Sequence, residues 1–335
     1  MATKLSLQEV EDLTRRALTA SGLAPASAEA VTKSVVASEA DGIHSHGLAR
    51  LPTYCEHARC GKIDGKAEPT ATRIKPGVLQ VDARDGFAHP AIDLGLEQLP
   101  AMARETGLAA LAVTNSYNCG VVGYHLERIA EAGLVALGFV NAPASIAPWG
   151  GKDAVFGTNP LACAVPRRDR APLVIDQSSS VVAKSEVVVH KQSGEPLPEG
   201  WALDADGNPT TDPAAALAGG TMVPAGGYKG ANQALIVEIF AALMARATLS
   251  LDASSFATND GGPPRTGQLF LAFDPDSFAG PGFAEQLERL LSAIADQDGA
   301  RLPGDGRLKA RDRTARDGIE ISDTLHEKLQ GYAAG

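Results

Sequence analysis

Leu108-Ala109-Ala110-Leu111-Ala112-Val113-Thr114-Asn115-Ser116-Tyr117-Asn118-Cys119-Gly120-Val121-Val122-Gly123-Tyr124-His125 begins as an apolar run of strand character and passes through a polar turn containing glycine. It then enters a helical stretch that the spacing carries to about residue 132. At such a turn, backbone N–H groups can hold a pyrophosphate, and glycines let a ligand approach the main chain. The plainer reading is an ordinary connection between a strand and a helix. Neither this stretch nor any other contains Gly-x-Gly-x-x-Gly or a Walker-type loop, so a conventional Rossmann site is not supported.

Outward from this stretch the texture is mixed α/β. Short apolar runs at 78–81, 134–140, 161–165 and 173–175 alternate with helical stretches at 92–105 and 122–132. Toward the N-terminus, Ser6-Leu7-Gln8-Glu9 has capping-box spacing, and Val10, Leu13, Ala17 and Leu18 then keep helical period until Gly22. A second helix carries Val31, Val35 and Ser38 to about Asp41-Gly42. A third is predicted from about Gly47, with Leu48, Leu51 and Cys55 as its apolar stripe and Arg50, Thr53 and His57 facing elsewhere. The change of texture after residue 71 places a domain boundary near residue 75. Farther on, 195–221 is dense in turn formers and reads as a long loop, 231–246 as an apolar helix, and 282–294 as an amphipathic helix.

The chain has 335 residues, 44% of them hydrophobic, which is ample for a core without staples. Its formal net charge of -10, with no block of like charges, makes nucleic acid and anionic membranes poor partners and small molecules better ones. The N-terminus lacks the apolar run of an export signal. The longest apolar stretch, 234–245, is interrupted by Glu238 and falls short of the roughly 20 residues of a spanning helix. Cys55, Cys60, Cys119 and Cys163 are too irregular for a disulfide framework and read as reduced thiols, so the expectation is a cytoplasmic protein.

Four constellations could carry chemistry. In Asp41-Gly42-Ile43-His44-Ser45-His46-Gly47-Leu48-Ala49-Arg50, an imidazole can donate the proton that a carbonyl oxygen or imine nitrogen needs as hydride arrives, and a guanidinium one turn later can clamp a carboxylate. The bland reading is a set of surface residues at a helix cap. His-x-His also suggests a metal, but no carboxylate or cysteine stands at ligand spacing, and no metal is expected. No Gly-x-Ser-x-Gly elbow marks a serine hydrolase. The 115–125 turn is the second constellation. The third is Pro148-Trp149-Gly150-Gly151 and Gly157-Thr158-Asn159-Pro160 with the strand end Val174-Ile175-Asp176-Gln177-Ser178. There Asp176 either supports His46 across a cleft or is a simple turn residue. The fourth, Pro224-Ala225-Gly226-Gly227-Tyr228-Lys229-Gly230, leads into the 231–246 helix, which points backbone donors at an anion or merely links to a core helix.

Taken in order, Asp41 to Arg50, the Asn115 to Gly120 turn, Gly157-Thr158-Asn159-Pro160, Trp201-Ala202-Leu203-Asp204-Ala205-Asp206-Gly207 and Gly226-Gly227-Tyr228-Lys229-Gly230 resemble the malate/L-lactate dehydrogenase family of the second, non-Rossmann type, over about residues 6–330. The resemblance implies an α/β fold in which a largely antiparallel NAD(P)-binding sheet domain, 76–289, is joined to a helical domain, 1–75, completed by 290–335. It implies a homodimer as well. Tyr117-Asn118-Cys119-Gly120 and Val182-Ala183-Lys184-Ser185-Glu186-Val187 resemble the Δ1-piperideine-2-carboxylate and Δ1-pyrroline-2-carboxylate reductases. The hydroxyacid enzymes instead tend to show an Asn-His-Phe-Gly type turn and an Ala-Arg-Gly-Lys type sequence. At Gly230-Ala231-Asn232-Gln233 the chain departs from the family's usual glycine and aliphatic residues.

Carried over by resemblance, His46 is the proton donor with Ser45 as relay, and Arg50 is the carboxylate clamp with Thr158 beside the substrate. Cofactor contacts fall at Asn118, Cys119, Gly120, Val121 and Val122, at Thr158, at Asp176, Gln177 and Ser178, at Gly227 and Tyr228, and along Asp298-Gly299-Ala300-Arg301-Leu302-Pro303-Gly304. Arg301 and Lys184 could balance a third phosphate charge, which favours NADPH over NADH. The implied activity is reduction of a cyclic 2-imino carboxylate to L-proline or L-pipecolate. A 2-hydroxyacid dehydrogenase acting on malate, lactate or ureidoglycolate is the alternative, and a catalytically silent ligand-binding relative is a second one.

Overall fold

The computed structural model describes residues 2–335. Strand β1 (Ala2–Leu5) leads into α1 (Leu7–Ala20), which starts as its spacing foretells. Ser6 Oγ accepts the Glu9 N–H at 3.2 Å, while Glu9 Oε2 accepts the Ser6 N–H at 2.7 Å. Helix α2 (Pro25–Ala40) follows. The third helix begins later than expected: two single 3-10 turns, His44–His46 and Leu48–Arg50, precede α3 (Leu51–Arg59). Gly47, with ψ -136°, breaks the helical path, and Pro52 sits in the first turn of α3, where its missing N–H has no partner to lose. Leu48, Leu51 and Cys55 are buried as the stripe predicts, but His57 is buried too, with Nδ1 2.7 Å from the Tyr117 hydroxyl.

The middle of the chain gives β2 (Thr70–Lys75), β3 (Val78–Asp82), α4 (Ala88–Leu96), α5 (Leu99–Thr106), β4 (Leu108–Ser116), α6 (Val122–Glu131), β5 (Val135–Val140), β6 (Leu161–Arg167) and β7 (Arg170–Gln177). The helical stretch foreseen at 92–105 is thus two helices, the second with proline in its first turn. The stretch 195–221, expected as a long, ordered or functional loop, contains short elements of its own. After α7 (Lys184–Ser193), the short strands β8 (Ala202–Leu203), β9 (Pro209–Thr210) and β10 (Thr221–Met222), with α8 (Pro213–Leu217) between the last two, form a small sheet. Leu197, Ala202, Ala216 and Met222 bury themselves there with Ile146 and Val187, enough apolar content to order a segment rich in turn residues. Helix α9 (Tyr228–Glu238) continues as a π-helix, Ile239–Met244.

Strand β11 (Thr266–Phe273), which sequence periodicity did not single out, lies at the centre of a seven-stranded sheet ordered β2-β3-β4-β11-β5-β6-β7. All its neighbours pair antiparallel except β3 with β4. Alternation along the strands divides two cores. Leu111, Val113, Ala136, Val174 and Phe270 face Ile92, Met102, Leu126 and Ile129 of α4 to α6, whereas Ala112, Phe139 and Leu269 face Val237, Ala241 and Ala245.

The chain closes with α10 (Pro275–Ala279), α11 (Phe283–Ala295), α12 (Asp305–Asp317), β12 (Ile319–Ser322) and α13 (Asp323–Ala334). Strand β12 pairs with β1, and Ile319, Ile321 and Leu329 share one core with Val10, Leu18, Val31 and Leu51, so both chain ends build the helical layer. A buried charge cluster ties that layer to the sheet: Arg307 and Arg311 of α12 both pair with Asp41, at the end of α2, and with Glu127 of α6. Among the described residues no helix is long and apolar enough to cross a membrane.

Candidate active site

The two 3-10 turns after α2 carry Ser45, His46 and Arg50 to the edge between the helical layer and the sheet. Ser45 Oγ lies 3.1 Å from His46 Nδ1, which leaves the other ring nitrogen for a ligand. Dehydration by surrounding protein, reinforced by the Arg50 charge, pushes the His46 imidazole down to about 4, so it is neutral near pH 7. Arg50 Nε is buried with no partner among the described residues. An unmatched guanidinium N–H of this kind costs free energy until an anion reaches it.

The Arg50 charge acts on two tyrosines, Tyr54 and Tyr117. Burial raises Tyr54 to about 12, with Arg50 pulling the other way, and burial raises Tyr117 still further. Both phenols therefore stay protonated. Tyr54 donates to Asn118 Oδ1 at 2.9 Å, and the Gly120 N–H donates to the same oxygen at 2.7 Å. This fixes the carboxamide and leaves Asn118 Nδ2 as its free donor. Phe256 packs edge-on against Tyr117, on a loop held by Lys62, whose ammonium donates to the carbonyls of Ser255, Thr258 and Asp260 at 2.7, 2.8 and 2.6 Å.

A cavity of about 500 Å³ has Val121, Asp176, Gln177, Arg301, Leu302, Pro303 and Gly304 in its walls, while Ser45, His46 and Arg50 are not among its lining residues. Three sequence-distant stretches thus converge, and the volume lies within the range of small-molecule and cofactor sites. Ile43, just before the His44–His46 turn, also lines it. Close backbone approach requires glycine here: a Cβ on Gly123 would stand 2.9 Å from Val174 Cγ1, and Gly304, at φ +88°, would bring one to 3.3 Å from the Val174 carbonyl oxygen. Arg301 makes no ion pair among the described residues, so its charge is available to a ligand. Glycine lining and an unmatched cation suit a phosphate-bearing cofactor.

Two local readings need correction, and several of the predicted contact residues lie outside this cavity. The 115–125 turn does not offer a free set of anion-binding donors: the Gly120 N–H goes to Asn118, and the Gly123 N–H goes to Asp176 Oδ2 at 2.7 Å. Asp176 therefore caps the start of α6 and shows no bond to His46. Its side chain is exposed at the cavity wall, yet crowding by neighbouring protein raises its carboxyl above the usual range against the opposing Gly123 N–H. Lys184 lines a separate small cavity with Val187 and Met222, away from Arg301. Thr158, Ser178, Gly227 and Tyr228 are not walls of the 500 Å³ cavity either. The Thr158 carbonyl accepts from Ser178 Oγ at 3.0 Å, and Gly227 abuts Trp149.

Cys119 is buried, and burial, helped by Asp176, raises its thiol to about 12, so it acts as a small apolar residue. Sequence reasoning missed Tyr54, Gly123, Tyr124 and Arg307. Gly123 and Tyr124, both inside the quoted turn, carried a local signal. Among the described residues no group of three or more His, Cys, Asp or Glu is arranged to hold a metal ion.

The family described as malate/L-lactate dehydrogenase matches this chain over residues 5–330. The chain is 46% identical over 333 residues, 99% of each protein, to one from Chromohalobacter salexigens named (2R)-3-sulfolactate dehydrogenase (NADP(+)). It is 39% identical over 330 residues, 98% of this chain and 96% of the relative, to a Δ1-pyrroline-2-carboxylate reductase of Ancylobacter novellus. The solved structure of Δ1-piperideine-2-carboxylate reductase from Pseudomonas syringae pvar. tomato superposes with a TM-score of 0.93 at 36% identity, covering 98% of this chain and 99% of that one.

Proposed function

Because the chain belongs to the malate/L-lactate dehydrogenase family, we propose that this oxidoreductase uses NADPH to reduce a cyclic 2-imino carboxylate of the Δ1-pyrroline-2-carboxylate or Δ1-piperideine-2-carboxylate type. The observation that carries this reading is the pairing of one unmatched guanidinium with a neutral imidazole. Arg50 meets a single carboxylate. A cyclic imine is basic enough to bring its own proton, so it asks of His46 an acceptor for the iminium N–H. A ketone asks instead for a proton donor, which a neutral ring supplies poorly. A reduced nicotinamide held by the residues around Val121, Gln177 and Arg301 would supply hydride to C2 of the substrate; the C=N π pair becomes the nitrogen lone pair, so the already protonated iminium ends as the cyclic secondary amine. Asn118 Nδ2 is a further donor at the carboxylate side.

A second reading, oxidation of a 2-hydroxyacid with neutral His46 as base, draws support from the 46% identical sulfolactate dehydrogenase. A sulfonate would need a cation beyond Arg50. The test is NADPH consumption with Δ1-pyrroline-2-carboxylate, Δ1-piperideine-2-carboxylate, pyruvate, oxaloacetate and 3-sulfopyruvate. Fast turnover of either imine supports the first reading, and turnover confined to the open-chain acids replaces it with the second.

The coenzyme preference rests on Arg301, the unpaired cation of the cavity. A charge-assisted contact to the 2′-phosphate predicts that Arg301→Ala weakens NADPH binding about 10- to 100-fold in fluorescence titration, with NADH little affected. Equal losses for both would remove Arg301 from this role.

We further propose a homodimer formed through the exposed apolar side chains Leu235, Ile236, Ile239, Leu243 and Met244 on α9 and its π-helical extension. So many adjacent apolar groups in water mark an association face. Ile239→Glu is expected to convert a dimer to a monomer in sedimentation velocity. A dimer that survives it would put the interface elsewhere.

A further inference from the structure

Glu39 lies one residue before the end of α2 and is only 1% exposed, yet nothing in the chemistry above uses it. Its carboxylate reaches across the turn that carries Ser45 and His46 and grips it on both sides. Oε2 lies 2.5 Å from His44 Nδ1, and Oε1 accepts the Leu48 N–H at 2.6 Å. Gly47 is shaped around it: a Cβ at that position would stand 2.1 Å from Oε1. Between the two anchors the backbone is pinned by single turns, His46 N–H to the Ile43 carbonyl at 3.0 Å and Gly47 N–H to the His44 carbonyl at 3.1 Å. The following turn, Arg50 N–H to the Gly47 carbonyl at 3.0 Å, starts from the gripped segment. Burying a carboxylate is costly unless it is paired and hydrogen-bonded, and here both oxygens are matched by groups flanking His46.

We infer that Glu39 is a positioning residue for the reaction: it sets the His46 ring and the Arg50 guanidinium in register with each other, without touching substrate. The inference rests on the assignment of His46 and Arg50 to the chemistry, and its test is built to fail separately from that assignment. Glutamine at this position keeps an acceptor for the Leu48 N–H and can still hydrogen-bond His44 Nδ1, so Glu39→Gln should hold kcat within about threefold. Glu39→Ala frees both anchors and should lower kcat about 30- to 100-fold, in line with the sensitivity of catalysis to misplacement near 1 Å, while coenzyme Kd stays within about twofold.

Gly47→Ala is an independent probe, because it displaces the carboxylate without removing it, and it should reproduce the loss. Amide hydrogen exchange over 43–49 supplies a readout free of any substrate: faster in Glu39→Ala and Gly47→Ala, unchanged in Glu39→Gln. If no tested substrate turns over, the proposed reaction falls and exchange alone decides the grip. Glu39→Ala or Gly47→Ala with full kcat, a glutamine variant as damaged as alanine, or unchanged exchange in all three would each overturn the role of Glu39.

Discussion

Replacing His46 by alanine is expected to lower kcat for an open-chain 2-keto acid about 10²- to 10⁴-fold, with a smaller loss for a cyclic imine at mildly acidic pH. As hydride arrives, a ketone oxygen gains charge and must be protonated, whereas an iminium nitrogen already holds its proton. The free protein keeps the ring neutral, near 4, through dehydration first and Arg50 second. A carboxylate bound to Arg50 cancels the second cause and moves the ring back toward its ordinary value of 6.5. The apparent pKa in the kcat profile for keto acid reduction should therefore lie above that in kcat/KM, since the first reports the complex and the second the free protein. Paired kinetics on pyruvate and Δ1-pyrroline-2-carboxylate check this. Equal losses on both substrates would sink the proton-delivery role.

Glu127→Ala should cost about 3–5 kcal/mol of stability, the range for removing one partner from a buried ion pair. Its oxygens accept from Arg307 Nη1 at 2.6 Å and from Arg311 Nη2 at 3.0 Å, and its side chain is 7% exposed. Without it, two guanidinium groups face Asp41 alone. Urea unfolding measures the loss, and a change under about 1 kcal/mol would mean the cluster relaxes into water. Because α12 and its N-cap Gly304 bring Gly304, Gly306 and Arg307 to the cavity, coenzyme affinity should fall as well.

The same cluster gives a pH signature. Burial raises the Glu127 carboxyl, but the bonds and charges of Arg307 and Arg311 outweigh that and hold it below its usual 4.5. Its stabilisation is present above pH 4.5 and is lost as pH falls toward the folded value. His46 and His125, both pushed by burial down to about 4, act over a higher window: between pH 6.5 and 4 the unfolded chain binds protons that the folded chain refuses. Stability should thus fall from pH 6.5 downward in wild type, with the step below pH 4.5 diminished in Glu127→Ala.

Local sequence was enough for the first helix, since a capping box and a repeating apolar stripe act within a few residues. It was enough for most strands of the sheet, and for the density of His44, Ser45, His46 and Arg50, because these signals are contiguous. It failed where a break outweighed periodicity, as at Gly47 and at Pro100, and where turn residues hid a small apolar core, as between Leu197 and Met222. It also missed β11, whose place between β4 and β5 is set by pairing with strands distant in the chain.

By itself, then, the sequence determined most of the helical and extended segments, where proton-active and anion-binding side chains cluster, and the absence of a glycine-rich dinucleotide fingerprint. Tertiary structure alone decided that Asp176 caps α6 instead of serving His46, that Tyr54 fixes Asn118, and that Arg301 and Arg307 stand beside Val121 in one cavity. It also decided that Glu39 holds the histidine turn. The physical reason is range: helix and strand signals depend on neighbours a few residues away, while burial, pairing and the direction of a hydrogen bond depend on groups that only the folded chain brings within about 3 Å.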